Sequence, residues 1–213
     1  MRGLVLSPYP ELITPVLDAA GDTYVECNGA VPSLHGIDFI VSFGYPHIIG
    51  KDIIDAMGDR IVNIHISFLP WNRGADPNFW SWFDDTPKGV TIHRIDAGID
   101  TGNIIVQHLI RSWPQSTTLK SSYDRLRMVG IRLFADNWKN IRRDALPTRK
   151  QDPSYGSTHK RTDKDRWFNE LPLGWDTPVK YIRKLGKTYR DLHATKNRSP
   201  RPRKHRQATL PEL

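Results

Sequence analysis

The chain has 213 residues, 38% of them hydrophobic and 25% charged, with a formal net charge of +8. That length suits one full-sized domain with an appendage, and the composition excludes a wholly disordered or membrane-embedded chain. A single cysteine, Cys27, excludes an internal disulfide and a cysteine zinc cluster; no stretch nears the roughly 20 apolar residues of a membrane span, so a cytoplasmic protein is expected.

Short apolar runs alternate with helical patterns, the rhythm of an α/β protein with a mainly parallel sheet. Residues 3–7 are predicted as the first strand, 10–20 as a helix and 23–26 as the second strand. Residues 38–43, with Phe39, Ile40, Val41 and Phe43, read as the next strand, buried on both faces. A short helix over 50–59, ended by Gly58, leads into a strand over 60–66. Strands over 89–96 and 103–110 flank a short loop with two glycines. A long helix is predicted from 117 to 143, with Leu119, Tyr123, Leu126, Val129, Leu133 and Trp138 near helical spacing. After Pro147 the pattern weakens; only 176–185 reads as helical, with Thr177 placed to cap it and Pro178 at its first position.

Charge is unevenly spread. Residues 1–143 hold 14 Lys and Arg against 15 Asp and Glu, and residues 144–213 hold 17 against 8, so the excess lies at the far end. The expected division is a catalytic domain over 1–146, an extension with a short helix over 147–189, and a basic tail over 190–213. That tail is Pro-punctuated and nearly free of apolar residues, so it is expected to be mobile, either solvated or touching the phosphates of RNA or a nucleotide.

The candidate chemistry lies in the middle of the chain. On a strand, residues two apart share a face, so Asn63 and His65 project together while Val62, Ile64 and Ile66 pack the other way. Alone, the pair reads equally as a hydrogen-bonded strand terminus. The loop at 96–102 adds Asp96 and Asp100, and a carboxylate there can orient an imidazole or a water. Asn63-x-His65, the Ser-x-Leu-Pro turn at Ser67–Pro70 and the Asp-x-Gly-x-Asp-x-Gly loop at Asp96–Gly102 follow one another in order. Over about residues 38–110 the chain resembles the folate-dependent formyltransferases, a family that includes enzymes acting on methionyl-tRNA, glycinamide ribonucleotide and nucleotide sugars.

The resemblance implies a Rossmann-like α/β catalytic domain, with helices on both faces of its sheet and a short C-terminal extension. It also implies Asn63, His65 and Asp100 as the catalytic residues and 10-formyltetrahydrofolate as the formyl donor, with no metal. Direct attack by a neutral amine gathers charge on the formyl oxygen of a tetrahedral intermediate, and donors from Asn63 and His65 suit that charge. Asp100 would hold His65 or a bridging water in the state that shuttles protons. By motif position the donor is expected against Pro46, His47, Ile48 and Ile49, mainly through backbone, against Ser67 and Leu69, and against the loop containing Asp96 and Gly98. His93 and His108, within strand-like runs, are expected to be structural.

The acceptor is harder to read. The turn after the first strand lacks the glycine-rich phosphate cradle of the glycinamide ribonucleotide enzymes, and the segment after Arg143 is too short and strand-poor for the C-terminal barrel of the methionyl-tRNA enzymes. The loop from Trp71 is similar to small bacterial enzymes of nucleotide-linked amino sugars. Trp71, Asn72, Arg73 and Asn78, with the aromatics Phe79, Trp80 and Trp82, are candidates to receive sugar or nucleotide, by ring stacking and by the arginine fork. The competing reading makes Phe79, Trp80 and Phe83 the inward stripe of a short helix. The first expectation is a nucleotide-linked amino sugar. Alternatives are methionyl-tRNA with a contact from the basic tail, a hydrolase of the same donor and, in another class, a non-catalytic RNA-binding module. Leu173 and Trp175 suit either docking on the catalytic domain or a homodimer contact.

Overall fold

The computed structural model describes residues 1–194, so most of the expected basic tail lies outside the described residues. A six-stranded sheet runs in the order β2-β1-β3-β4-β6-β7. Its parallel part comprises β1 (Arg2–Leu6), β2 (Thr23–Cys27), β3 (Phe39–Ser42) and β4 (Ile61–His65). The sheet is mainly parallel, as expected: β7 (Ile104–Leu109) runs the same way, and β6 (Gly89–Arg94) alone is reversed between β4 and β7, which makes the sheet mixed. A two-residue strand β5 (Arg73–Gly74) pairs away from the sheet with β8 (Thr158–His159), and neither has the length to announce itself by alternation.

Alternation along the strands separates two cores. Val5, Val41, Val62 and Ile64 face α1 (Thr14–Ala19) and the long α4 (Leu119–Ile141), with Phe134 and Trp138 fully or almost fully buried among them. Leu4, Leu6, Ile40 and Ile61 face α2 (Lys51–Met57) on the other side. Gly130 lets α4 approach the sheet closely: a Cβ there would lie 3.1 Å from Ile64 Cγ2. The Thr118 hydroxyl caps α4 by accepting from Ser121 N–H, and Ser121 Oγ accepts from Thr118 N–H in return. The single helix expected over 10–20 is a 3-10 turn at Pro10–Leu12 followed by α1, because Pro15 has no N–H to continue the helical ladder.

Beyond Leu146 the extension is built into the fold. Arg149 and Ile104 exchange both backbone hydrogen bonds at 2.8 Å, laying the chain along the start of β7. The helices α5 (Arg161–Phe168) and α6 (Val179–Ala194) then pack on α3 (Pro77–Phe83), forming a third cluster around Phe79, Phe83, Leu119 and Ile182. Helix α6 begins after Pro178 rather than at it, and the Thr177 hydroxyl accepts from Leu173 N–H. Trp175 docks by its ring against Tyr123 of α4 and Phe168, while Leu173 stays exposed. No helix among the described residues is long and apolar enough to cross a membrane.

Candidate active site

Asn63 and His65 stand at the carboxyl end of β4, on the face toward α2, where ligand crevices form in open α/β sheets. The antiparallel partner β6 pairs His93 with Asn63 and Thr91 with His65, which brings His93 onto the same surface. Asp100 arrives from the loop before β7 in the left-handed region, φ 53°, which aspartate tolerates better than most residues. That loop is drawn tight: Asp96 Oδ1 accepts from Gly98 N–H at 3.1 Å and from Thr101 Oγ1 at 2.6 Å. Gly102 is needed there, because a Cβ would lie 1.9 Å from the Arg94 carbonyl oxygen.

The amide, the imidazoles and the carboxylate meet. Asn63 Nδ2 reaches Asp100 Oδ1 and His93 Nε2, both at 3.2 Å, and Gly74 N–H donates to Asp100 Oδ2 at 2.8 Å. His65 Nδ1 lies 3.6 Å from Asp100 Oδ2, and His93 Nε2 lies 3.4 Å from Oδ1. The tautomers follow from the outer partners. His65 Nε2 is 2.9 Å from the Asn72 carbonyl, which only accepts, so Nε2 carries a proton and Nδ1 of the neutral ring has its lone pair toward Asp100. His93 Nδ1 likewise donates to the Arg94 carbonyl at 2.7 Å, leaving Nε2 to accept from Asn63.

Burial pushes the His65 imidazole below its ordinary value; Asp100 pulls upward, but His93 adds to the lowering, so the neutral ring is favoured at pH 7. Burial opposes ionisation of Asp100 too, yet attraction to the His65 and His93 rings in their protonated forms, with the Gly74 N–H, outweighs it and holds the carboxyl below the usual carboxylate range. The arrangement is a nearly dry carboxylate beside an imidazole nitrogen that is free to take a proton.

Around this centre the residues singled out from the sequence fall into groups. Pro46, His47 and Ile48 are exposed on the loop between β3 and α2, whereas Ile49 is buried in the core beside α2. Ile48 is 82% exposed and Ile99, in the loop of Asp100, 49%, so both loops offer an apolar side chain to a ligand. Ser67 and Leu69 maintain the turn instead: Ser67 Oγ donates to the Trp71 carbonyl, and Leu69, fully buried, has its N–H on Thr91 Oγ1 and its carbonyl on Gln107. Asn72 and Asn78 are buried and engaged on both ends of their amides. Asn72 bonds Thr86 and Ser157, and Asn78 bonds the Leu119 carbonyl and Ser122, so neither side chain is free for a substrate. Phe79, Trp80 and Phe83 are core residues of α3, as the short-helix reading has it, Trp82 is buried there with them, and Trp80 is sealed by His159 stacked at 4.0 Å. Trp71 pairs edge-on with Tyr155, and Arg73 is buried near Asp100 and Asp96.

Two residues of this centre escaped the sequence reading. His93 was expected to be structural, and only the antiparallel register carries it to Asn63; His108 lies exposed on the edge strand. Gln151 sits in the weakly patterned extension. Its Oε1 accepts from Arg73 Nε at 3.0 Å, and its Nε2 donates to the carbonyls of Asp100 at 2.8 Å and Gly102 at 2.9 Å, tying β5 to the Asp100 loop.

Sheet and cluster together define an open α/β protein with a carboxylate–imidazole cluster at its strand ends. The chain belongs to the formyl transferase family, whose pattern matches residues 23–137. The formyltransferase PseJ of Anoxybacillus kamchatkensis, solved with UDP-4,6-dideoxy-4-formamido-L-AltNAc and tetrahydrofolate, is 40% identical with a TM-score of 0.82, covering 87% of this chain and 100% of that one. The methionyl-tRNA formyltransferase of Solibacter usitatus is 34% identical over 120 residues, 56% of this chain and 38% of that protein. That of Burkholderia multivorans is 31% identical over 169 residues, 78% of this chain and 50% of that protein. The chain thus spans at most half the length of these two relatives.

Proposed function

We propose that the protein moves a formyl group from 10-formyltetrahydrofolate to a primary amine carried by a nucleotide-linked amino sugar. The observation that carries this reading is the convergence of Asn63, His65 and Asp100 within 3.6 Å contacts, on a chain that aligns over 87% of its length with a formyltransferase bound to a UDP-linked formamido sugar. The donor supplies an activated formyl carbon. The backbone of residues 46–49 and 96–100, with Ile48 and Ile99 exposed beside it, suits an aromatic ring system that needs apolar cover and backbone hydrogen bonds.

His65 Nδ1 takes the proton that the attacking amine must lose, and the imidazolium so formed is stabilised by Asp100. The Asn63 amide, whose two N–H groups make only long contacts at 3.2 Å, turns one of them to the charge gathering on the formyl oxygen. His65 then returns its proton to the departing nitrogen. No covalent enzyme intermediate is required when both substrates are held in contact.

Incubation with 10-formyltetrahydrofolate and a panel of amines, scored for a mass gain of one formyl unit, tests the assignment. Formylation of a nucleotide-linked amino sugar is the expected result. Formylation of methionyl-tRNA alone would move the acceptor to the runner-up, and formate release without an acceptor would make the protein a hydrolase. Gln151→Leu, which unties Asp100 from β5, is expected to reduce kcat by about 10- to 100-fold through misplacement of the carboxylate. Steady-state kinetics beside a thermal melt separate that loss from unfolding.

A further inference from the structure

Where β1 ends, Ser7 Oγ accepts from Tyr9 N–H at 2.9 Å and turns the Tyr9 ring toward the loop after β3. A Cβ on Gly44 would lie 3.7 Å from that ring, and Gly44 is two residues past Ser42, the parallel partner of Asn63. Tyr9 therefore stands at the level of His65, beyond the end of β3, the strand next to β4. Over its ring, 4.0 Å from the centroid, lies the guanidinium of Arg127 of α4, and the Tyr123 ring is 5.4 Å away. Burial, with the Tyr9 hydroxyl beside it, pushes the Tyr123 hydroxyl up to about 12, so it keeps its proton and can donate at neutral pH.

Arg127 differs from the other arginines held against the sheet. Arg94 pairs with Asp144, Arg142 with Asp22, and Arg73 bonds Gln151. Among the described residues Arg127 has no hydrogen bond or ion pair; its Nε is buried without a partner, and the nearby Asp124 is paired with Lys120. Two aromatic rings hold the cation in place but satisfy none of its N–H donors. A guanidinium whose Nε is buried without a partner is costly to keep unless an oxyanion completes it.

We propose that Arg127, clamped by Tyr9 and Tyr123, is the subsite that grips the diphosphate of the acceptor. The inference rests on the nucleotide-linked acceptor proposed above. Its position supports the acceptor over the donor: the cluster lies on the α1 and α4 side of the strand ends, whereas the loops assigned to the donor lead from β3 to α2 and into β7. The amine would reach His65 over the tip of β3, with the sugar ring between it and the diphosphate.

The test combines calorimetry with uridine diphosphate and inorganic pyrophosphate and kinetics of Arg127→Met, Arg127→Lys and Tyr9→Phe, each variant checked by circular dichroism. Wild-type protein is expected to bind both probes, more weakly as salt rises. Arg127→Met should weaken binding, and raise KM for the nucleotide-linked amine, by about 10- to 100-fold, with kcat within a factor of about three. Arg127→Lys, which keeps the charge but not the fork, should fall between. The preference for the nucleotide-linked amine over its methyl glycoside should shrink by the same factor. Unchanged binding and KM in Arg127→Met overturn the subsite, as does a rise confined to the KM of the folate donor, which would assign the arginine to the donor's glutamate carboxylates. Probe binding lost in Arg127→Met, with no nucleotide sugar formylated by wild type, leaves the subsite standing and sinks the acceptor.

Discussion

Replacing His65 by alanine is expected to lower kcat by about 100- to 10,000-fold, the range for removing a positioned acid–base group. The fold should survive, because the lost ring bonds the Asn72 carbonyl and otherwise only faces the Asp100 carboxylate at 3.6 Å. The same residue sets a pH signature. Burial lowers the His65 imidazole, so the neutral, proton-accepting ring persists below its ordinary value of about 6.5. The acid limb of kcat/KM is therefore expected below pH 6.5, and an acid limb above it would exclude neutral His65 as the base. Stability follows the same sign. As pH falls below about 6.5 the unfolded chain takes up a proton that the folded chain resists, so the His65 contribution is complete above that pH and declines beneath it. His65→Ala should remove that part of the slope in denaturant titrations across pH 5 to 7.

Asp100→Asn should be nearly as severe, about 100- to 10,000-fold in kcat. Asparagine tolerates the left-handed backbone at this position and keeps the shape of the side chain, so the loop should hold. What disappears is the charge that stabilises protonated His65. A neutral amide must also turn an N–H toward either Gly74 N–H or Asn63 Nδ2, both of which already donate to Asp100. Asp100 raises the His65 imidazole, so the substitution should move the acid limb to still lower pH while the plateau falls. A rate within threefold of wild type, or an acid limb moved upward, would break the proposed pairing.

Much of the fold could be read from local pattern. Strands of four to six residues with apolar runs, and α4 with its helical spacing, announce themselves because their periodicity is set by one neighbouring face. The reversal of β6 could not be read from residues 89–94, which look alike in either direction. His93 stayed hidden for the same reason: its meeting with Asn63 depends on register across two strands. Asn63, His65 and Asp100 were visible because strand alternation and a glycine-flanked loop are local signals, joined by family resemblance. Asn72 and Asn78 misled because polarity in a loop carries no sign of whether a side chain faces a ligand or its own backbone. Gln151 and Arg127 gave no signal, since what distinguishes them is which distant groups they meet or fail to meet.

The Arg149–Ile104 bridge, Gln151 on Asp100 and Ser157 on Asn72 join points 45 to 85 residues apart along the chain. Loops of that length are closed late in folding, after local helices and adjacent strands have formed. In a refolding time course, catalytic competence should therefore lag behind helix content, with the apparatus for chemistry the last piece to lock.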